Sequence, residues 1–551
     1  MPFFKGQRHF LFLPVGTVTF FTAPFLAFLL SIICCLGFPA DKLGKGFCYI
    51  FPCLSAVNCV IIGGSYIFFA HFIKPLRGLV SDHRRQPPDP RTEQKRSRPP
   101  YAKEQKKKQE FDYVHDGIGS LYRRLLPSAI GSLLTATVAS FIDVVILSHY
   151  LGPDMLAVVN LCMPVYMLVN TLGMLIASGA STLYAQHLGE GDKEEALRCF
   201  SVSVVHMVLC GAVLTLVGLL FPGPVVRLLG ANDAVFAPTM EYAHVLFFFM
   251  IPLIVYVHLL FFVRVDNDPS RVLIATATCA VVNLGLDILF VGPLGLGPKG
   301  AAMATCLAYT LGMAVNMTHF FSKRNTLKFM KDCMKGRRGL RIWRAGMPLA
   351  ASQLGMTIST NIYNNTIMRV GGPDYVSVYA VITQLSMTSM AIYDGVGQAA
   401  QPILAAATGA KLPDRIKQVF RHGVILELIG TIALLILYTT LTVPIAGLLS
   451  IHEGELLSLC LTGVRIYALS LPLMGLNSII MYYFQAQEKA GRALAISLLS
   501  GSVLLIAALL MLIACFGEKG IWFSWVAAQV LALAISFTLY KQAQHGGRTA
   551  K

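Results

Sequence analysis

Long apolar runs separated by short polar connections dominate the chain from Leu121 onwards. Six runs lie near 125–148, 155–185, 197–221, 239–263, 272–294 and 299–321, and six more near 345–369, 376–407, 417–446, 457–484, 492–516 and 520–541. Each run has about 20 residues or more, enough for a helix rising 1.5 Å per residue to cross about 30 Å of hydrocarbon. The pattern predicts an all-α membrane protein with twelve core transmembrane helices.

The first 118 residues follow a different pattern. Residues 10–36 and 47–73 are apolar and long enough to span a membrane, so we predict two extra N-terminal transmembrane helices. Residues 74–118 are basic, rich in proline and nearly free of aliphatic side chains, which predicts a disordered linker. The predicted divisions are therefore 1–73, 74–118, 119–321, 322–344, 345–541 and a tail, 542–551.

Composition and charge agree with a membrane protein. Charged residues make up 13% of the chain, whereas soluble domains carry about 25%. The net charge of +17 does not indicate a nucleic-acid partner, because Lys and Arg concentrate in alternate connections, as in the positive-inside rule. We expect membrane lipid around the protein, a location in the cell (inner or plasma) membrane, and a monomer. The cytoplasmic parts are predicted to be both termini and the connections 186–196, 264–271, 322–344, 411–421 and 486–492.

An internal repeat organises the twelve spans. A shift of 220–221 residues aligns Pro127 with Pro348, 152–154 with 372–374, and 297–300 with 517–520. Each half has six spans, an even number, so the halves run parallel and are related by a pseudo-twofold axis along the membrane normal. Repeats of this kind are typical of transporters, with the substrate bound between the halves. We refer to the halves as the N-lobe and the C-lobe.

Four polar residues of the N-lobe are predicted to meet at similar depth. Asp143 lies about nine residues before the connection at Gly152, or roughly 13 Å below the helix end. Asp287 and Thr305 each lie about five residues from the next connection on the same side, or roughly 7–8 Å. Asn283 precedes Asp287 by four residues and therefore shares its helix face.

This group of side chains suits a small cation. Two carboxylates, an amide oxygen and a hydroxyl are hard oxygen ligands of the type that binds Na⁺, and two adjacent desolvated carboxylates also suit H⁺. A charge in a membrane span is costly and is normally present for function. At the repeat offset, Asp287 falls on an alanine, 507 or 508, and Asn283 on Val503 or Leu504, so the C-lobe lacks these groups.

Other polar residues inside the spans are candidates for the lining of a substrate cavity: Asp394, Gln398, Tyr363, Asn364 and His258. Asp394 lies in mid-span among small residues, and Tyr363 or Asn364 falls at the repeat position of Asp143. His258 is a lone histidine, for which ordinary packing is the alternative. Glu427 is placed close enough to the cytoplasmic side to extend its carboxylate to water.

Motifs of catalysis and nucleotide binding are absent from the sequence. It contains no GxxxxGK[ST] phosphate loop, no HExxH and no CxxC pair, and the thirteen cysteines are scattered, mostly in apolar runs. We expect no enzyme activity and no cofactor, with Na⁺ or H⁺ as coupling ion.

Several stretches resemble the multidrug and toxic compound extrusion (MATE) transporter family, prokaryotic type, from about residue 121 to 541. They are IDVVILSHYLG around Asp143, SGASTLYAQHLGEGDKEEA at 178–196, NLGLDILFVGPLGLGPKGAAMAT at 283–305 and QAAQPILAAATGAK at 398–411. The sequence departs from the family pattern in the 1–118 extension and at Thr408, where the family commonly has Asn.

The resemblance implies two six-helix lobes that open alternately to the two sides of the membrane. It also implies export of drug-like, often cationic compounds against an inward Na⁺ or H⁺ gradient, with the cation bound at Asp143, Asn283, Asp287 and Thr305. One alternative is a flippase of the same superfamily for lipid-linked oligosaccharide or peptidoglycan precursors. Another is a non-transporting membrane scaffold or receptor that uses residues 74–118.

Overall fold

The computed structural model describes residues 111–334, 336–448 and 454–546. The predicted helices at 10–36 and 47–73, and the predicted linker up to residue 110, lie outside these ranges.

The first half contains α1 (Ile118–Gly152), α2 (Ala157–Glu190), α3 (Lys193–Leu220), α4 (Pro222–Leu228), α5 (Asp233–Phe248), α6 (Met250–Val265), α7 (Pro269–Val291) and α8 (Gly297–Met317), with a 3-10 turn at Thr318–Phe321.

The second half repeats this order. It contains α9 (Arg338–Val370), α10 (Gly372–Gly409), α11 (Pro413–Leu448), α12 (Glu455–Ala468), α13 (Leu471–Ala486), α14 (Ala490–Leu498), a π-helical turn (Leu499–Val503), α15 (Leu504–Phe516), a 3-10 turn (Gly517–Lys519) and α16 (Gly520–Gly546).

These helices form the twelve predicted spans. The pair α5–α6 is one span bent by 52°, and α12–α13 is one span bent by 40°. The pair α14–α15 is a single span that contains the π turn. Helix α4 is a short extra element between the predicted apolar runs 197–221 and 239–263. The fold class predicted for the core is therefore confirmed.

The backbone shows the repeat directly. Gly152 and Gly372, 220 residues apart, have φ angles of 72° and 73°, and Gly297 and Gly517, again 220 apart, have 57° and 62°. This left-handed region is readily accessible to glycine and strained for other residues, so each pair marks an equivalent turn. The two bent spans, α5–α6 and α12–α13, occupy equivalent places in the two halves as well.

Helix α9 begins earlier than predicted. The predicted connection extends to residue 344, but the helix starts at Arg338, because its first turn can lie outside the hydrocarbon and present basic side chains to water. The first span of the C-lobe is thus longer at its N-terminal end than its apolar run indicates.

The lobes approach one another closely where α2 meets α9 and α10. A Cβ atom on Gly346 of α9 would lie 1.7 Å from the carbonyl oxygen of Leu175 in α2. Further along α2, a Cβ atom on Gly189 would lie 2.0 Å from the carbonyl oxygen of Ala406 in α10, and one on Gly409 would lie 2.0 Å from that of Gln186. Glycine at these positions lets the backbones touch, and the contacts close the lobes together toward the predicted cytoplasmic side.

Candidate functional site

Three of the four predicted N-lobe residues form a hydrogen-bonded group between α7 and α8. Asn283 Nδ2 donates to Asp287 Oδ2 at 2.7 Å and lies 3.4 Å from Thr305 Oγ1. Asn283 and Asp287 meet because residues four apart share a helix face, and Thr305 is brought to them by the tight turn at 292–297. Asp287 is fully buried, with 0% exposure.

Asp143 completes the group from α1. Its carboxyl group is an electrostatic neighbour of that of Asp287, although the two helices are far apart in sequence. One oxygen of each residue, Asp143 Oδ1 and Asp287 Oδ1, is buried and has no hydrogen-bond partner among the described residues. The structure therefore brings together all four residues that the sequence singles out.

Tyrosines surround this group. Tyr309, one turn after Thr305 on α8, forms a short hydroxyl–hydroxyl contact with Tyr166 of α2. Tyr242 of α5 is 8% exposed and lies within electrostatic range of both aspartates. Asp287 is thus enclosed by protein and Asp143 is half-buried, so a positive charge close to them is weakly screened and strongly favoured.

The donor set fits a small cation. Neither carboxylate forms an ion pair with a basic side chain in the described part of the chain, and each has one oxygen without a hydrogen bond there. Burying such groups uncompensated is costly. Either Na⁺ bound to the carboxylate, amide and hydroxyl oxygens, or H⁺ shared by the aspartates, would remove this cost. Asp143, Asn283, Asp287 and Thr305 are the residues that would hold the ion.

The C-lobe fills the equivalent space with apolar and aromatic side chains. At the offset of 220, Asp143 corresponds to Tyr363 and Thr305 to Trp525, whose ring centroids lie 6.1 Å apart. Asn283 corresponds to Val503, the last residue of the π turn. The pseudo-symmetry therefore extends to the positions of the site, but only the N-lobe has carboxyl groups at these positions.

Two of the predicted cavity residues lie in packed cores. Tyr363 is 1% exposed, stacks on Tyr379 and donates towards the carbonyl oxygen of Ile521 at 3.4 Å. His258 is 2% exposed, stacks on Phe262, and its Nε2 lies 2.8 Å from Ser203 Oγ. In this conformation both are packing residues. Asn364, by contrast, is exposed on α9.

Gln398, a third cavity candidate, joins the lobes through a buried arginine. Arg264 NH1 donates to Gln398 Oε1 at 2.6 Å, and Arg264 NH2 donates to Ser132 Oγ at 3.0 Å. The sequence pattern places Arg264 in a cytoplasmic connection, but this is wrong: the residue lies in the last turn of α6, which ends at Val265, and is 3% exposed. Only the tertiary packing reveals this role, since an arginine at the edge of an apolar run ordinarily reaches water.

Asp394, the remaining candidate, lies near Glu427. Tyr482 Oη donates to Asp394 Oδ1 at 3.5 Å, and the carboxyl groups of Asp394 and Glu427 are electrostatic neighbours. The expectation that Glu427 reaches water is wrong. It is 1% exposed, and neither carboxyl oxygen has a hydrogen-bond partner in the described part of the chain, because α10 and α13 enclose it.

A polar cluster that the sequence pattern did not indicate lies on the predicted cytoplasmic side, between α6, α7 and the end of α8. His319 Nε2 lies 2.8 Å from Asp266 Oδ2, and Asp268 accepts from Arg271 at 2.8 Å and from Arg324 at 3.1 Å. Burial raises the pKa of Asp268, but hydrogen bonds from His319 and Arg271 and the nearby arginine charges outweigh it and lower the pKa to about 2. In the sequence, the alternation of Asp and Asn in VDNDPS (265–270) is the pattern that could have indicated this polar cluster.

Comparisons with known proteins agree with this architecture. The MatE family model matches the chain twice, over residues 127–289 and 348–516, which reproduces the internal repeat. The multidrug export protein MepA of Staphylococcus aureus (strain MSSA476) is 23% identical over 423 residues, covering 75% of this chain and 92% of MepA.

Two solved structures share the fold. The outward-facing conformation of a multidrug resistance MATE family transporter of the MOP superfamily has a TM-score of 0.75 and 22% identity, covering 81% of this chain and all of that one. A MOP superfamily transporter from Pyrococcus furiosus, whose binding pocket is described as having reverse polarity that suggests a different function, has a TM-score of 0.73 and 22% identity, covering 79% and 98%.

The repeat, the twelve spans and the matched family model lead to one identification. Family members are transporters, so this multi-pass membrane protein is a transporter and not an enzyme. The chain belongs to the MATE family.

Proposed function

We propose that the protein is a cation-coupled antiporter that exports drug-like, often cationic organic compounds by alternating access. The observation that supports the coupling is that one buried carboxyl oxygen of Asp143 and one of Asp287 have no hydrogen-bond partner within the described ranges. The substrate class is supported by the likeness to MepA, a multidrug export protein. Na⁺ or H⁺ is the coupling ion, and no other cofactor is required.

The exchange cycle requires that the cation and the organic substrate each bind one of the two conformations more tightly than the other. A cation that neutralises the two aspartates stabilises the conformation in which they lie together, and the organic substrate binds better to the other conformation. Each ligand can shift the equilibrium only by the difference in its affinity for the two states. The closed contact of α2 with α9 and α10 belongs to a conformation whose access is from the side opposite the cytoplasm.

The proposal includes an orientation. The protein lies in the cell membrane with both termini and residues 322–344 in the cytoplasm, and the concentration of Arg and Lys in the connections on that side supports this orientation. The protein acts as a monomer, because each chain holds its own cation site and both lobes.

The test uses the purified full chain in proteoliposomes with independently imposed Na⁺ and pH gradients. We expect a cationic dye to be transported only when one of the two gradients is present, and the effective gradient identifies the ion. Dye movement that ignores both gradients would contradict coupling. Flipping of a lipid-linked pyrophosphate in place of dye transport would favour the flippase alternative.

A further inference from the structure

A cluster of potential metal ligands lies away from the cation site, at the turn between α2 and α3. A ring nitrogen of His187, the thiol sulfur of Cys199 and a carboxylate oxygen of Glu195 all lie within 4.8 Å of one another. His187 belongs to the last turn of α2, and the other two belong to the first turns of α3. The turn at Gly191 (φ 83°) brings them together.

His187 is oriented as a metal-binding histidine is. Its Nδ1 lies 2.7 Å from Glu190 Oε2, so a proton on Nδ1 is held by that carboxylate. Its Nε2 is buried and has no hydrogen-bond partner within the described ranges, and the residue is 8% exposed. A carboxylate on one ring nitrogen fixes the tautomer and leaves the other nitrogen's lone pair available, as in carboxylate–histidine–zinc groups.

Cys199 supplies a soft ligand at the same place. It is 2% exposed and forms no disulfide with the other described cysteines. Thiolate and imidazole together favour Zn²⁺ over Mg²⁺ and Ca²⁺, which prefer oxygen ligands. Zn²⁺ with three protein ligands keeps a fourth position for water.

Glu195 accepts hydrogen bonds from two arginines, which a metal ion at its carboxylate would have to displace. It accepts from Arg338 and, at 3.2 Å, from Arg198 NH1. Arg198 also forms an ion pair with Glu194, so it keeps an acidic partner if Glu195 turns to a metal. Arg338 is the competitor, since a metal at Glu195 and the Arg338 guanidinium draw on the same carboxylate.

We propose that His187, Glu195 and Cys199 form a Zn²⁺ site at the cytoplasmic ends of α2 and α3, distinct from the coupling-cation site. Binding displaces the Cys199 thiol proton to solvent, and the resulting thiolate and the Glu195 carboxylate balance the two charges of the ion. Arg338 is the first residue of α9, so its ion pair with Glu195 joins the N-lobe to the start of the C-lobe. Zn²⁺ bound to Glu195 competes with this ion pair.

The experiment measures Zn²⁺ binding and the Co²⁺ absorption spectrum of the full chain, purified in detergent with a phosphine reductant and stripped with a chelator. We expect about one ion per chain and a near-ultraviolet thiolate-to-Co²⁺ charge-transfer band. Cys199→Ser should remove the band, and His187→Gln should weaken Zn²⁺ binding by more than about 10-fold. Cys210→Ser, on the same helix, is the control and should leave both unchanged.

Two further variants separate a metal site from structural packing. Glu190→Gln, which alters only the carboxylate on Nδ1, should weaken Zn²⁺ binding by about 10-fold. Arg338→Gln, which removes the competitor for Glu195, should strengthen it. Absence of the Co²⁺ band, its survival in Cys199→Ser, or weaker binding in Arg338→Gln would overturn the proposal. Gradient-driven dye transport and metal-free thermal unfolding of each variant confirm that the chain is folded.

Discussion

The side-chain amide of Asn283 donates to Asp287 Oδ2 at 2.7 Å, one helical turn away on α7. This bond fixes one carboxyl oxygen of a fully buried aspartate and leaves the other, Oδ1, without a partner among the described residues. Asp143 likewise has one buried carboxyl oxygen without a partner among the described residues, and a bound cation would satisfy both oxygens.

Replacing either aspartate by asparagine should abolish gradient-driven dye efflux without preventing membrane insertion. Asp287→Asn and Asp143→Asn keep the size of the side chain but remove the charge that attracts the cation. Efflux is measured in proteoliposomes, and insertion by membrane yield. Asp374→Asn, at an exposed aspartate of the C-lobe, is the matched control and should transport normally. Full efflux by Asp287→Asn would refute the role of the site.

Removing the Thr305 hydroxyl should weaken cation binding without abolishing it. Thr305→Val keeps the shape but removes an oxygen ligand, and losing one polar interaction of about 1 kcal/mol corresponds to about a five-fold loss of affinity. The readout is the concentration of coupling ion that gives half-maximal efflux. Thr310→Val, five residues further along α8, should leave that concentration unchanged.

Gln398 should contribute to stability through the buried Arg264. In Gln398→Leu the guanidinium loses the acceptor at 2.6 Å and keeps Ser132, so we expect a loss of about 2 kcal/mol in the free energy of unfolding. Thermal unfolding in detergent measures it. Gln418→Leu, at an exposed position of α11, is the control. Equal stability of the two variants would show that the Arg264–Gln398 hydrogen bond is not stabilising.

A methyl group on Gly346 should disturb the contact between the lobes. Gly346→Ala places Cβ 1.7 Å from the Leu175 carbonyl oxygen, so α2 and α9 must separate, at a cost of about 1–3 kcal/mol. We expect a lower unfolding temperature and slower efflux. Gly491→Ala has no atom within 4 Å of the added Cβ and should behave as the parent protein. Parent-like behaviour of Gly346→Ala would mean that this contact is not needed.

Asp268 should make stability depend on pH in strongly acidic solution. Its pKa is about 2 in the folded protein and near 3.8 in the unfolded chain, so the unfolded chain binds more protons between these values. The stability from Asp268 is complete above about pH 4 and is lost as the pH falls towards 2. Unfolding temperatures measured from pH 6 to 2 should decline less steeply in Asp268→Asn than in Asp374→Asn.

The sequence by itself determined the number of spans, the repeat and the N-lobe site. Apolar runs of about 20 residues match the length of a membrane-spanning helix, which satisfies its own backbone hydrogen bonds in lipid. The offset of 220 predicts equivalent turns, which Gly152 and Gly372 show with φ angles of 72° and 73°. Asn283 and Asp287 share a face through local helical geometry, so their contact needed no knowledge of the fold.

Only the tertiary structure decided which other polar residues are enclosed. Hydropathy reports the average character of a segment and not the neighbours of one side chain, so Arg264 and Glu427 are assigned to water by pattern but are buried by α1, α10 and α13. The same holds for His187, Glu195 and Cys199, whose ligand atoms meet only because the turn at Gly191 folds α3 back onto α2. Proximity between helices is a property of packing, and the one-dimensional pattern does not contain it.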